Sequence, residues 1–210
     1  MNYRFIAIEG AIGAGKTTLA KMLANELQTT LLLEEFMDNP HLQDFYANPE
    51  KHAFPLELSL LLERHHQLIE QVSLQQLHQS ACVSDYYYIK SLLFSRINLP
   101  EAQHLLFKKV FELITVNLPM PDLIVYLNRP VAVLRSAIVK RGRAFEQQIT
   151  AAYLASIQQT YTTYFKSIKD KRILILNIGE LDFEKNKDDY KKISSLINKP
   201  YPLGITELNL

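Results

Sequence analysis

The sequence is poor in the residues that mark several protein classes. It contains a single cysteine, Cys82, which excludes a disulfide framework and predicts a reducing compartment. Cys82 lies in an apolar run. No stretch approaches the roughly 18 consecutive apolar residues of a membrane span, and the chain opens on a predicted strand rather than a signal peptide. The formal net charge is +1 without a long basic run, which argues against binding to nucleic acid or membranes. We therefore expect a cytoplasmic protein with small-molecule ligands.

Glycine is also scarce, yet three of the six glycines fall in one short stretch. This stretch fits the phosphate-loop pattern G-x-x-x-x-G-K-[ST], after a predicted strand and before a predicted helix. Its glycines let backbone N–H groups point at an anion, Lys16 can reach the outer phosphates, and the Thr17 hydroxyl can bind Mg²⁺. We expect a nucleoside triphosphate to bind Gly10, Ala11, Ile12, Gly13, Ala14, Gly15, Lys16, Thr17 and Thr18.

Apolar runs alternate with helical patterns along the chain. Five of these runs predict strands, at residues 3–8, 30–33, 81–84, 123–127 and 172–176. Continuous apolar strands between helices indicate an α/β fold, in which helices cover both faces of a parallel sheet. We expect one three-layer domain over residues 1–199 and a C-terminal tail over residues 200–210. Ligands should bind beyond the carboxyl ends of the strands.

Charged residues follow the predicted strands, where this ligand site is expected. Glu34 and Glu35 come after the second strand, and Asp85 follows the third. Three arginines that could close over phosphates as a lid follow the fourth strand: Arg135, Arg141 and Arg143. Phosphoryl transfer to an alcohol needs a base near the hydroxyl, a metal ligand, and positive charge over the transferred group. These residues supply all three.

Each of these residues also has a purely structural interpretation. The two glutamates can be a surface pair, and Asp85 can simply cap the helix that follows it. The arginines can form a solvated helix face. The six histidines show no spacing typical of metal ligands.

A second segment is more specific than the phosphate loop. The run from Tyr46 to Glu57 contains a Pro-Glu pair and a phenylalanine, and it is followed by Arg64. It resembles the Tyr…Pro-Glu…Phe…Gln segment of the deoxynucleoside kinases, P-loop enzymes that include deoxycytidine and deoxyguanosine kinases. The resemblance extends over residues 3–193. It implies a five-stranded parallel sheet with a helical lid, ATP and Mg²⁺ as cofactors, and a homodimer.

The resemblance also implies a role for each matching residue. Glu35 matches the family's general base, with Glu34 as the alternative. Tyr46 and Glu146 match residues that bind the sugar 3′-hydroxyl. Arg141 and Arg143 match lid arginines that bind phosphate, and Asp182 and Phe183 lie in the segment that resembles the loop touching the donor base. From the residues themselves we expect Lys16 at the transferred phosphate and Thr17 and Asp85 at Mg²⁺, with Asp85 also a candidate to contact the acceptor.

The sequence departs from the family pattern at two positions. Many members have an arginine directly after the acidic residue of the third strand, whereas Tyr86 follows Asp85 here. Either a lid arginine or Lys90 takes its place, or the place is vacant. Glu57 stands where glutamine is usual. Ionised glutamate only accepts hydrogen bonds, so it favours a base with N–H groups, and Arg64 suits the acceptors of a purine. We expect Glu57 and Arg64 to favour purine deoxynucleosides, unless they pair with each other.

Together these features predict an enzyme of nucleotide salvage that transfers the γ-phosphate of ATP to the 5′-hydroxyl of a deoxynucleoside. Two rivals stay open: a nucleoside monophosphate kinase of the thymidylate kinase type, and a non-catalytic ATP-binding switch protein. The acidic composition of residues 34–57 favours a neutral acceptor. Four aromatic residues are candidates to stack on the acceptor base: Phe36, Phe54, Tyr86 and Phe94.

Overall fold

The computed structural model of the protein describes residues 2–35, 39–72 and 81–210. In these residues, six parallel strands form one sheet in the order β2-β3-β1-β4-β5-β6. The strands are β1 (Phe5–Gly10), β2 (Thr30–Leu32), β3 (Cys82–Ser84), β4 (Leu123–Asn128), β5 (Arg172–Asn177) and β6 (Gly204–Asn209). The predicted α/β class is therefore confirmed.

Eight α-helices connect the strands in the described part of the chain. They are α1 (Lys16–Leu27), α2 (His41–Ala47), α3 (Pro49–Gln67), α4 (Ile89–Asn98), α5 (Glu101–Thr115), α6 (Val131–Arg141), α7 (Ala151–Ser167) and α8 (Lys187–Ile197). A π-helical turn, Leu68–Val72, continues α3, and a 3₁₀ turn, Ala144–Gln148, joins α6 to α7. None of the helices in the described ranges is long and apolar enough to cross a membrane.

The central strands carry the core because both faces of the sheet are covered. All six residues of β1 are buried, as are five of the six in β4. The chain places β2 and β3 on one side of β1 and the other three strands on the opposite side. Such a reversal of strand order opens a crevice at the carboxyl ends of the strands, which is where ligands bind in open α/β sheets. The phosphate loop leaves β1 at this point.

Local signals explain where the helices beside this crevice begin. Asn48 caps α3 by accepting a hydrogen bond from the backbone N–H of Lys51, and Pro49 occupies the first helical position, where its missing N–H is not needed. Thr150 caps α7 in the same way, accepting from the N–H of Tyr153. These caps set the starting points of two helices whose side chains line the crevice.

The sheet has six strands, one more than the five that the sequence analysis predicted. Residues 204–209, which the sequence analysis assigned to a tail, form β6 and pair with all six residues of β5. Burial alternates along β6, since an edge strand packs one face and leaves the other in water. The two prolines and the glycine of this segment suggested a tail, but they precede or begin the strand, where they do not interrupt the ladder.

Candidate active site

Two glycines of the phosphate loop leave no room for a Cβ atom unless a neighbouring group shifts. A Cβ atom on Gly13 would lie 2.6 Å from the carbonyl oxygen of Leu134, and one on Gly15 would lie 2.8 Å from the ring of Phe183. Both glycines have positive φ angles, 84° and 94°. The loop therefore packs tightly against α6 and the segment after β5, as expected of a backbone cradle for phosphate.

Lys16 brings a positive charge to this loop. It begins α1, and its Nζ donates hydrogen bonds to the carbonyl oxygens of Gly10 and Ala11 at 2.9 and 3.0 Å. Burial and the nearby Lys90 ammonium lower the pKa of Lys16 to about 8, so it stays mostly protonated at neutral pH. The lysine and the N-terminus of α1 attract anions to the same place. The remaining predicted loop residues complete the turn into the helix: Ile12, Ala14 and Thr18.

Thr17 and Asp85, the two predicted metal ligands, lie side by side. The Thr17 hydroxyl donates to Asp85 Oδ2 at 2.5 Å, and the backbone N–H of Glu34 donates to Asp85 Oδ1 at 2.8 Å. Asp85 comes directly after β3 and is 5% exposed. It does not cap the next helix, because α4 begins four residues later, at Ile89. Its carboxylate instead connects the ends of two strands to the start of α1.

Glu34 and Glu35 point to different places. The Glu34 side chain is 8% exposed and lines the cavity next to the phosphate loop, whereas Glu35 is exposed and does not line it. Glu34 Oε1 accepts from Arg64 at 2.6 Å, and its Oε2 accepts from Lys90 Nζ at 2.6 Å. The prediction that Glu35 is the general base thus does not fit the structure, because its carboxylate lies outside the cavity.

The two cations determine the protonation state of Glu34. Burial alone would raise its pKa, but Lys90 and Arg64 outweigh burial and lower it to about 2. Arg64 also donates to Ser91 Oγ at 2.6 Å, so its guanidinium is held at both ends. Glu34 is therefore a carboxylate with a well-defined position at neutral pH.

One cavity joins the predicted acceptor-binding and phosphate-binding residues. It contains about 840 Å³ that no atom fills, including solvent at its mouth. Lys16, Thr17, Glu34 and Asp85 line one end. Its lining also includes residues of α2, α3, α4, α7 and the lid: Tyr46, Glu57, Arg64, Asn98, Arg141, Arg143, Glu146 and Tyr153. The structure therefore gathers most of the predicted site residues around one space.

Glu57 lies deep in this cavity and does not pair with Arg64. It is 1% exposed, and its Oε1 accepts a hydrogen bond from Asn98 Nδ2 at 2.7 Å. In the described residues Arg64 instead forms its ion pair with Glu34. Burial raises the pKa of Glu57 to about 7, against the opposing effects of Asn98 and Arg64. The alternative of a Glu57–Arg64 pair is therefore wrong.

The lid arginines both bind the carboxylate of Glu146. Arg141 Nη2 donates to Glu146 Oε2 at 2.5 Å, and Arg143 Nη1 donates to Oε1 at 3.1 Å. Glu146 is 3% exposed, whereas the side chain of Arg141 is 38% exposed. Arg135 lies on α6 with an exposed side chain outside the cavity lining, so its predicted contact with phosphate has no support in this structure.

The segment predicted to touch the donor base has one buried and one exposed residue. Phe183 is 3% exposed and packs against Gly15, and the Arg129 guanidinium lies 5.4 Å from the centre of its ring. Asp182 has a side chain that is 51% exposed and lies near Lys185. Phe183 is thus next to the phosphate loop, while Asp182 points to solvent.

Of the four aromatic candidates, Phe94 lines the cavity, with the Lys90 ammonium 5.5 Å from its ring centre. Tyr86 is fully buried and donates to Gln67, and Phe54 packs on the core outside the cavity lining. Phe36 lies outside the described residues.

Sequence reasoning missed two polar residues of the cavity lining, Asn98 and Tyr153. Tyr153 donates its hydroxyl proton to Asn98 Oδ1 at 2.9 Å, and Asn98 passes a hydrogen bond on to Glu57. They lie on α4 and α7, far apart in the sequence, and neither follows a strand or belongs to a motif. Of these three residues, the sequence analysis identified Glu57 alone, because the family usually has glutamine at that position.

The fold and the site together define a class of protein. A parallel sheet, a phosphate loop at the end of its central strand, and a buried carboxylate facing that loop are the parts of a P-loop phosphotransferase.

Comparison with known proteins identifies the family. The profile of the family described as Deoxynucleoside kinase matches residues 6–200. A deoxyguanosine kinase of Bacillus subtilis (strain 168) is 34% identical over 199 residues, which cover 93% of this chain and 96% of that protein. A deoxyadenosine kinase of Dictyostelium discoideum is 30% identical over 93% of this chain and 78% of its own length. The chain therefore belongs to the deoxynucleoside kinase family, and it is an enzyme that phosphorylates deoxynucleosides.

A solved structure agrees with the fold. The structure of deoxyadenosine kinase from M. mycoides with bound dATP is 23% identical and superimposes with a TM-score of 0.79, covering 93% of this chain and all (100%) of that one. This likeness supports the architecture of the sheet and its helices.

Proposed function

We propose that the enzyme transfers the γ-phosphate of ATP to the 5′-hydroxyl of a purine deoxynucleoside. The observation that carries the proposal is the position of Glu34, whose carboxylate lines the same cavity as Lys16 and Thr17. A base and a phosphate loop thus face one space, as transfer to an alcohol requires. Relatives named deoxyguanosine kinase and deoxyadenosine kinase support a purine acceptor, and a neighbouring structure with dATP supports a nucleoside triphosphate ligand.

Glu34 takes the place of Glu35 as the base in this proposal. A pKa of about 2 keeps Glu34 ionised, so it can accept a hydrogen bond from the 5′-hydroxyl. The transition state of phosphoryl transfer is loose, and the hydroxyl proton leaves late, so a weak base is sufficient. Arg64 and Lys90 hold the carboxylate from two sides, which fixes its direction. Positioning is then the main contribution of Glu34.

Mg²⁺ fits the oxygen donors of Thr17 and Asp85. In the described residues, no group of three or more His, Cys, Asp or Glu side chains is arranged to hold a metal. This agrees with Mg²⁺ chemistry, since the ion commonly binds one or two protein oxygens together with water and substrate phosphates. Thr17 and Asp85 would hold the ion, which would supply positive charge beside the donor phosphates.

The other cavity residues bind the two substrates. Lys16 and the loop amides hold the donor phosphates, and Arg141 and Arg143 place positive charge above the transferred group. Tyr46 and Glu146 line the same cavity and bind the 3′-hydroxyl of the sugar. At the acceptor end, Arg64 and Lys90 already form ion pairs with Glu34, so neither is left to bind a phosphate group on the acceptor. This favours a nucleoside over a nucleoside monophosphate as the acceptor.

The proposal extends to a homodimer that works in nucleotide salvage in the cytoplasm. Helix α5 carries three exposed leucines, Leu105, Leu106 and Leu113, which are 50%, 54% and 78% exposed. Leu62 on α3 is also 52% exposed. Clustered apolar side chains on a long helix are suited to packing against a second copy of the same helix.

Two neighbouring substitutions test the proposed mechanism. Glu34→Gln removes the base, so kcat for deoxyguanosine with Mg·ATP should fall by about 10²- to 10⁴-fold. Glu35→Gln removes the same charge from an exposed side chain and should leave kcat within about twofold of wild type. Calorimetric titration with Mg·ATP shows whether each variant is folded and still binds the donor.

Other outcomes would point to the rival functions. Activity lost in Glu35→Gln but kept in Glu34→Gln would return the role of base to Glu35. ATP binding without phosphorylation of any deoxynucleoside by the wild type would support a switch protein. Phosphorylation of deoxynucleoside monophosphates instead of deoxynucleosides would support the thymidylate kinase type.

A further inference from the structure

The acceptor end of the cavity contains a buried oxygen that has no partner among the residues that the structure describes. Oε2 of Glu57 is buried and accepts no hydrogen bond from the described residues, while Oε1 accepts from Asn98. Buried polar atoms are nearly always hydrogen-bonded in folded proteins, and the exceptions commonly mark functional sites. Because Glu57 lines the cavity, a bound ligand is the natural partner of Oε2.

A hydrogen-bond chain determines which oxygen of Glu57 can change its role. The Tyr153 hydroxyl donates to Asn98 Oδ1, which leaves the Asn98 amide N–H₂ to donate to Glu57 Oε1. Oε1 is therefore an acceptor whether Glu57 is ionised or not. A proton bound to Glu57 must therefore reside on Oε2, the oxygen that has no hydrogen-bond partner among the described residues. In one state Oε2 accepts hydrogen bonds, and in the other it donates one.

Both states are accessible near neutral pH. Burial raises the pKa of Glu57 to about 7, with Glu34 acting in the same direction and Asn98, Arg64 and Lys90 acting against it. Burial, together with the nearby charge of Glu57, raises the pKa values of Tyr46 and Tyr153, so both phenols stay neutral. The lid contributes further charged groups to the cavity wall: Arg141, Arg143 and Glu146.

We propose that Glu57 reads the acceptor base in two protonation states, selecting guanine as a carboxylate and adenine as a carboxylic acid. Guanine presents two adjacent donors, N1–H and N2–H, which match two accepting oxygens. Adenine presents N1, an acceptor, beside the N6 donor, which matches a protonated Oε2 that donates and an Oε1 that accepts. Binding of guanine therefore releases a proton from the protonated fraction of Glu57 to solvent, and binding of adenine takes one up. This inference rests on the proposed kinase function.

The ratio of two specificity constants tests the proposal. We would measure kcat/KM for deoxyguanosine and for deoxyadenosine between about pH 6 and about pH 9 and divide one by the other. Titrations that affect chemistry on both substrates cancel in this ratio. The ratio should rise about tenfold per pH unit, because guanine needs the ionised fraction and adenine the protonated one. A ratio that does not change with pH would overturn the proposal while leaving the kinase function intact.

Matched variants locate the effect at this position. Glu57→Gln cannot ionise, so its ratio should be independent of pH and shifted towards deoxyadenosine, because an amide offers one donor and one acceptor. Glu50→Gln removes a charge from an exposed position on the same helix and should keep the slope of the wild type. A slope that survives in Glu57→Gln would refute the assignment.

A binding measurement avoids turnover and does not require the variant to fold. Calorimetry of the wild type at about pH 7, in buffers with different ionisation enthalpies, counts the protons exchanged on binding. Deoxyguanosine should release, and deoxyadenosine should take up, about half a proton. Equal proton exchange for both ligands would overturn the proposal, whereas failure of both to be phosphorylated would instead refute the kinase function.

Discussion

The ionisation of Glu57 makes a prediction about stability that does not depend on ligands. The pKa of Glu57 is about 7 in the folded protein and 4.5 in its ordinary state, because burial disfavours the charged form. An acid with a raised pKa contributes stability that is fully present below about pH 4.5 and is lost as pH rises through about 7. The difference between the two values corresponds to about 3 kcal/mol. Since Glu57 is 1% exposed, solvent screening does not reduce this figure much.

Glu57→Gln should remove this pH dependence, because glutamine does not titrate. We expect the free energy of unfolding of the wild type, relative to the variant, to decrease by about 3 kcal/mol between about pH 4.5 and about pH 8. Urea unfolding of both proteins at several pH values measures the difference. The lowered pKa of Glu34 gives stability that is lost only as pH falls from about 4.5 towards 2, so its titration lies below this range. Titrations common to both proteins cancel in the comparison.

A matched control and a clear contrary result complete the test. Glu50→Gln changes an exposed carboxylate on the same helix, and its unfolding free energy should run parallel to that of the wild type at every pH. If the wild type and Glu57→Gln also run parallel, Glu57 is ionised in the folded protein throughout this range. That result would refute the raised pKa of Glu57. It would also refute the proposal that Glu57 recognises guanine and adenine in two protonation states, because that proposal depends on the raised pKa.

Two further predictions concern the phosphate loop and the surface. Gly13→Ala places a Cβ 2.6 Å from the Leu134 carbonyl oxygen at a φ of 84°, so the loop backbone must shift. Binding of Mg·ATP, measured by calorimetry, should weaken by at least about tenfold. Unchanged affinity would contradict the tight packing of the loop. Leu113 on α5 is 78% exposed, and Leu113→Asp should convert a dimer to a monomer, as measured by light scattering. Leu203, which follows α8 and is 57% exposed, is the control, and Leu203→Asp should leave the dimer intact. A wild type that is already monomeric would remove the dimer from the proposal.

The strands and the phosphate loop could be predicted because their signals are local. The apolar runs at residues 123–127 and 172–176 lie within strands buried on both faces, and such strands read as continuous hydrophobic segments. The edge strand β6 gave a weaker signal, since it pairs on one side and alternates in burial. Its position depends on pairing with β5, a contact between segments that the sequence does not record.

The sequence alone could not tell which of Glu34 and Glu35 lines the cavity. Glu34 and Glu35 are adjacent and chemically identical, and successive side chains of an extended segment point to opposite sides. A register error of one residue therefore exchanges a cavity residue for an exposed one. Burial and the two cationic partners of Glu34 decide the matter, and both partners come from distant helices, α3 and α4. Composition and spacing within one segment cannot supply that information.

Lys90 brings a positive charge to the ends of β2 and β3, through its ion pair with Glu34. This lysine is the second residue of α4, where the helix dipole disfavours a positive charge. Its Nζ lies 2.6 Å from Glu34 Oε2 and its side chain is 11% exposed, so the ion pair offsets both the dipole and much of the cost of burial. The charge of Lys90 also helps burial to lower the pKa of Lys16, because a nearby positive charge disfavours a second one. The first turn of α4 thus supplies a positive charge beside the Glu34 carboxylate, whereas Tyr86, the residue directly after Asp85, has none.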